Sequence, residues 1–94
     1  MHTHGPHISG ASPGDNVFIN IGPGNSSNYV YEFNENHMPG TFWYHPHLHG
    51  SSALQVGQGA AGMLIVDPPE DYEIPDVIKD MPEHQMVFQH CYNY

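Results

Sequence analysis

The chain has 94 residues, enough for one small domain or a piece of a larger one. Hydrophobic residues make up 38%, and nine prolines with ten glycines break up long helices, so short strands joined by turns are expected around a thin core. One basic residue, Lys79, stands against ten acids for a net charge of −9, which argues against nucleic acid or anionic membrane as partner and favours cations.

Residues 2–4 read as an extended His-Thr-His, broken at Gly5-Pro6 and again at Ser12-Pro13-Gly14-Asp15, both turn signals. Residues 16–21 alternate Val17, Ile19 and Ile21 with Asn16, Phe18 and Asn20, the period of a strand. After a loop over 22–28, residues 29–33 alternate again, with Tyr29, Tyr31 and Phe33 on one face. Residues 41–45, TFWYH, favour a strand by their aromatic content. Residues 51–62 are small and polar, a loop or one short helix, and 63–67, MLIVD, form an apolar strand stopped by Pro68-Pro69. The stretch from Asp67 to Glu83 holds seven acids and four prolines and reads as a connector, with a short edge strand expected in IPDVIKD at 74–80. Residues 84–94 read as one further strand.

No run of about 18 apolar residues occurs, so no membrane span is expected. Cys91 is the single cysteine, which rules out an internal disulfide. No basic-then-apolar leader follows Met1, and the chain opens directly into HTHG, so we expect a fragment that starts inside a motif.

Nine histidines are far above ordinary usage, and two pairs stand out: His2-x-His4 and His45-x-His47. Side chains at i and i+2 of a strand share a face about 6.5 to 7 Å apart. That is wide for one small ion and comfortable for two ions side by side. An isolated pair of this kind is ordinarily solvated or structural, but two pairs, each leading to a glycine, are far more specific. Imidazole donors without cysteine suit copper, zinc, iron or nickel. Gly57-x-Gly59-x-x-Gly62 copies the dinucleotide fingerprint, yet it runs into a strand rather than opening a helix. We read those glycines as letting a loop pass close to the metal site. Asn25-Ser26-Ser27 is a formal glycosylation sequon.

HTHG, followed by GTFWYHPHLHG and then GAAGMLIVD, resembles the first cupredoxin domain of multicopper oxidases. That family includes laccases, ascorbate oxidases, ferroxidases and bacterial copper-efflux oxidases. The resemblance implies an all-β, cupredoxin-like Greek-key sandwich or barrel, incomplete because its opening strands are missing. It implies a partial cupredoxin domain over 1–79, with 80–94 starting a connector or next strand. By position, His2 would bind a type 2 copper, His4 and His45 one type 3 copper, and His47 the other, half the ligands of a trinuclear cluster. Trp43 and Tyr44 would wall the site, and His49, outside the matched pair, would be supporting or structural. His7 is read as a loop residue, and His37 and His84 as exposed turn residues. His90-Cys91 is not read as a type 1 copper site, because Tyr92 stands where a second histidine would be needed; Cys91 is expected as a buried strand thiol.

The activity implied is one-electron oxidation of a small reducing substrate, a phenol or a metal ion, coupled to four-electron reduction of dioxygen to water. Copper should be lost as protons compete for imidazole, near about pH 6.5. Four histidines are half a cluster, so this chain alone should not turn over, and the other cupredoxin domains are its expected partners. A homo-oligomer is a further expectation, since two copies across a two-fold would bring eight imidazoles together. The resemblance also implies an extracellular or periplasmic location. Two competing readings are a small acidic copper or zinc carrier without turnover, and a structural β domain with incidental histidines.

Overall fold

The computed structural model of the chain describes residues 1–91. Three strands, β1 (His2–His4), β2 (Gly40–His45) and β3 (Gly62–Val66), form one antiparallel sheet in the order β1-β2-β3. Two short helices, α1 (Ser52–Gly57) and α2 (Asp76–Lys79), follow β2 and β3 respectively. The class is all-β, as the aromatic and apolar alternation predicts.

β2 is central because it alone has both a long aromatic run and partners on each side. Its register sets His2 opposite His45, Thr3 opposite Tyr44 and His4 opposite Trp43. On the other side, Gly40 faces Val66, Trp43 faces Met63 and Tyr44 faces Gly62. Period-two alternation then divides the sheet. One face carries His2, His4, Trp43, His45 and Met63, and the other carries Thr3, Phe42, Tyr44 and Leu64. Gly62 is required on the second face, because a Cβ there would collide with the Tyr44 ring.

The segment 29–37 lies against that second face without joining the sheet. Tyr29 and Tyr31 sit ring to ring at 6.0 Å, so the expected alternation is present. The ladder is not: Val30 N–H donates to the Pro13 carbonyl at 2.8 Å rather than to a strand. Residues 16–21 are not the expected strand: 16–19 form a turn and the rest is irregular. Asn16 captures the backbone locally, its Oδ1 accepting the Phe18 N–H at 2.9 Å, which competes with strand pairing. Phe18 is left 91% exposed.

α1 realises the short helix expected within 51–62. It starts where Ser52 Oγ and the Ser51 and Ser52 amides converge on the Leu48 carbonyl. It is followed, past its cap at Gln58, by Gly59, whose φ of +95° a side chain would resist. α2 replaces the edge strand expected at 74–80. Pro75 presets the chain entry, and Asp76 in the first turn and Lys79 in the last complement the helix dipole and pair at 3.0 Å. Val77, which a strand would have to bury, is 74% exposed. Residues 84–91 form no strand either; Phe88 is 88% exposed, and the rest of that expected element lies outside the described residues. Cys91 is exposed, not the buried thiol the sequence suggests.

Among the described residues no hydrophobic side chain is fully buried, and Thr3, 3% exposed, is the buried polar one. No helix among them is long and apolar enough to cross a membrane.

Candidate metal centre

β1 and β2 bring the two histidine pairs to one face. Because His2 lies opposite His45, His4 falls two residues along β1 beside Trp43, and His47, just past the end of β2, lies beside His2. His2 sits in the middle, its ring centroid 5.8 Å from His4, 5.4 Å from His45 and 5.1 Å from His47. His45 lies 6.3 Å from His4 and 5.9 Å from His47. All four residues expected from the sequence are therefore together.

Hydrogen bonds fix which nitrogen two of these rings present. His2 Nδ1 lies 2.8 Å from Asp15 Oδ2, while Asp15 Oδ1 accepts the Thr3 N–H at 3.0 Å. An ionised carboxylate can only accept, so the His2 hydrogen stays on Nδ1 and donates to Oδ2, which leaves the lone pair on Nε2. His45 Nδ1–H donates to the Pro46 carbonyl at 2.8 Å, since a carbonyl can only accept, and its Nε2 is likewise left as a donor to a metal. The turn that delivers Asp15 is closed by Gly14 N–H to Ala11 O at 2.7 Å and Asp15 N–H to Ser9 O at 2.8 Å. Sequence reading took Asp15 for a turn residue only; an acid returning toward a histidine strand is the weak signal that could have raised it.

Trp43 walls the site, its ring stacked 4.4 Å from His45 at 27° and 5.1 Å from His4. Tyr44 does not. Its ring packs over Gly62 on the opposite face and, with Thr3, Tyr31 and Leu64, lines a cavity of about 620 Å³ there. Burial, then the Asp15 carboxylate, then Tyr29 push the Tyr31 phenol above the ordinary tyrosine value. His49 sits with His47, Val17 and Phe18 around a cavity of about 360 Å³ at the margin of the imidazole face. The glycine-rich loop passes elsewhere: Gly59 lies against Cys91 and Gln89, and Gly62 under Tyr44. His37, expected in an exposed turn, is half-buried with both ring nitrogens engaged.

Among the described residues no three His, Cys, Asp or Glu side chains converge on a single ion-sized point. The four rings make a wall, not a closed chelate. Such a wall offers imidazole nitrogen donors, two of them with Nδ1 engaged and Nε2 left for a metal, which fits copper and leaves coordination positions for ligands from elsewhere.

Comparison with known proteins agrees with this chemistry. The family model for multicopper oxidase matches residues 1–71. The chain is 40% identical over 75 residues to Laccase-1 of Pleurotus ostreatus, which covers 76% of this chain and 13% of that protein. It is 32% identical over 89 residues to Multicopper oxidase mco of Staphylococcus epidermidis, covering 85% of this chain and 19% of that protein. It is 35% identical over 85 residues to Laccase-5 of Trametes versicolor, covering 81% and 15%. The chain thus spans less than a fifth of the length of these relatives. No solved structure matches significantly. With a family match over most of its length, a range that includes both histidine motifs, the chain belongs to the multicopper oxidase family.

Proposed function

We propose that this chain contributes half the imidazoles of a trinuclear copper centre. The parent enzyme would couple one-electron oxidation of a small reducing substrate, a phenol or a metal ion, to four-electron reduction of dioxygen to water. In this reading His2 serves the type 2 copper, His4 and His45 one type 3 copper, and His47 the other. Residues 1–79 act as part of a first cupredoxin domain, 80–94 lead out of it, and further cupredoxin domains supply the remaining ligands and the type 1 site. An extracellular or periplasmic location follows from the same reading.

The observation that carries it is the clustering of His2, His4, His45 and His47, with centroid separations of 5.1 to 6.3 Å, on one face built from two strands. Bound copper would supply one-electron redox chemistry and a place for dioxygen to be reduced. The chain's own groups prepare the face. Asp15 and the Pro46 carbonyl hold the Nδ1 hydrogens of His2 and His45, and the Trp43 ring stacks on His45.

Copper stoichiometry and oxygen uptake by the parent protein, with and without His47→Ala, test this. Loss of bound copper together with loss of oxygen uptake is expected. A variant that keeps both would refute the assignment, and copper binding without oxygen uptake in the unaltered protein would favour a carrier.

A further inference from the structure

His37 uses both ring nitrogens. Its Nε2 accepts the backbone N–H of His7 at 2.9 Å, and its Nδ1 lies 2.8 Å from the Met38 carbonyl oxygen. A carbonyl only accepts and an amide N–H only donates, so the proton resides on Nδ1 and Nε2 carries the lone pair. The geometry therefore admits one neutral tautomer. Three rings surround the imidazole edge-on: Phe33 at 5.1 Å, Phe42 at 5.6 Å and His7 at 5.9 Å.

The place of this contact matters more than its strength. His7 lies just beyond β1 and His37 just before β2, so the bond closes the base of the long excursion over residues 5–39. Phe42 of β2 packs at the same junction, close enough to Gly5 that a Cβ there would sit 2.7 Å from the ring. Whatever holds His37 to His7 also sets how β1, with His2 and His4, approaches β2, with His45.

We propose that His37 is a positioning residue, a neutral clasp between the two strands of the histidine face that opens when a proton occupies Nε2. A proton there would point at the His7 N–H, donor against donor, and the bond could not survive. Of the side chains packed on the ring, Phe33 and Phe42 carry no charge. His7 is the titratable one, and its own protonation would add a like charge beside His37. The clasp rests on the His37 ring and the backbone groups it bonds; only its effect on copper rests on the function proposed above.

Two substitutions separate the roles. His37→Gln places a carbonyl oxygen near the Nε2 position, where it accepts the same N–H but takes up no proton, whereas His37→Ala leaves no acceptor. The first readout is amide hydrogen exchange at His7 in the metal-free chain, corrected for intrinsic rates, from about pH 8 to about pH 5. The unaltered chain should lose roughly tenfold protection on acidification; the Gln variant should hold its protection, and the Ala variant should show none at either end. The second readout is copper affinity at the alkaline end. It should stay within about twofold of the unaltered chain for Gln and fall roughly three- to tenfold for Ala. Equal His7 protection in the Ala variant, a Gln variant that behaves like Ala, or an unaltered chain indifferent to acid would each overturn the clasp. The expected exchange pattern in a chain that binds no copper would uphold the clasp and overturn the copper assignment instead.

Discussion

Asp15 decides which nitrogen His2 offers. With one oxygen on the Thr3 amide and the other on His2 Nδ1, the carboxylate ties the ring to its own strand. Asp15→Asn keeps the shape but swaps one acceptor for a donor, so His2 either loses its bond or takes the tautomer whose Nδ1 accepts. We expect a loss of about 1 to 3 kcal/mol in stability and a shift of His2 toward the other tautomer, read by ring ¹⁵N spectra. Copper affinity should fall about tenfold to a hundredfold. Tyr31 yields a prediction at alkaline pH. Its phenol is pushed above the usual value of 10.0, chiefly by burial, so the folded chain holds that proton longer than the unfolded one. The associated stability is intact below that value and drains away as pH rises through the raised one. Alkaline denaturation should therefore lose a component in Tyr31→Phe, and identical curves would refute it. At this scale the histidine face was legible because a spacing of two means a shared face. The same rule, counted from Trp43, sends Tyr44 to the other side, a consequence the aromatic run TFWYH conceals. Asp15 and His37 were not legible, since their partners are set by how turns fold back rather than by spacing.

The central strand explains which elements could be read from sequence. β2 and β3 follow from aromatic and apolar runs that find a ladder partner, β2 on both sides and β3 on one. The alternation at 16–21 and 29–33 is just as regular, yet Asn16 turns the first back on itself, and the second lies against the sheet with its backbone tied to Pro13. Periodicity reports which side chains share a side; it does not report whether a neighbour is present to complete a ladder. The same holds for 74–80, where Pro75 and the Asp76–Lys79 pair favour a helical turn in a segment with nothing to bury its valine. Gly62 offers the test at this scale. Gly62→Ala should displace the Tyr44 ring and cost about 1 to 3 kcal/mol, seen as a lower thermal midpoint with weakened near-UV aromatic signal. An unchanged midpoint would mean that Tyr44 moves freely and that the two faces are less distinct than the register implies.

For the whole molecule, the radius of gyration is 16.2 Å, against about 12 Å for a compact domain of this length. Extents of 47 × 33 × 19 Å describe a thin, open body, consistent with the absence of a buried apolar core among the described residues. Such a chain depends on whatever binds its folded form. Copper at about a hundred times its dissociation constant should stabilise it by about 2.7 kcal/mol, and a chelator should reverse the gain. A melting curve indifferent to both would remove the metal from the account of stability. The open shape was foreshadowed by composition, since a chain with few apolar residues and many prolines and glycines cannot enclose much. Which surfaces stay uncovered was not, because that depends on pairing between distant segments.

The unequal separations along the sheet carry a kinetic consequence. Residues 5–39 lie between β1 and β2, about twice as many as lie between β2 and β3, so closing the first loop costs about 0.6 kcal/mol more chain entropy. β2 and β3 should therefore meet first, and an ion arriving during folding would encounter His45 and His47 before His2 and His4. Pulse-labelled exchange would then protect amides of β3 ahead of those of β1, and the reverse order would mean that the amino-terminal strand seeds assembly.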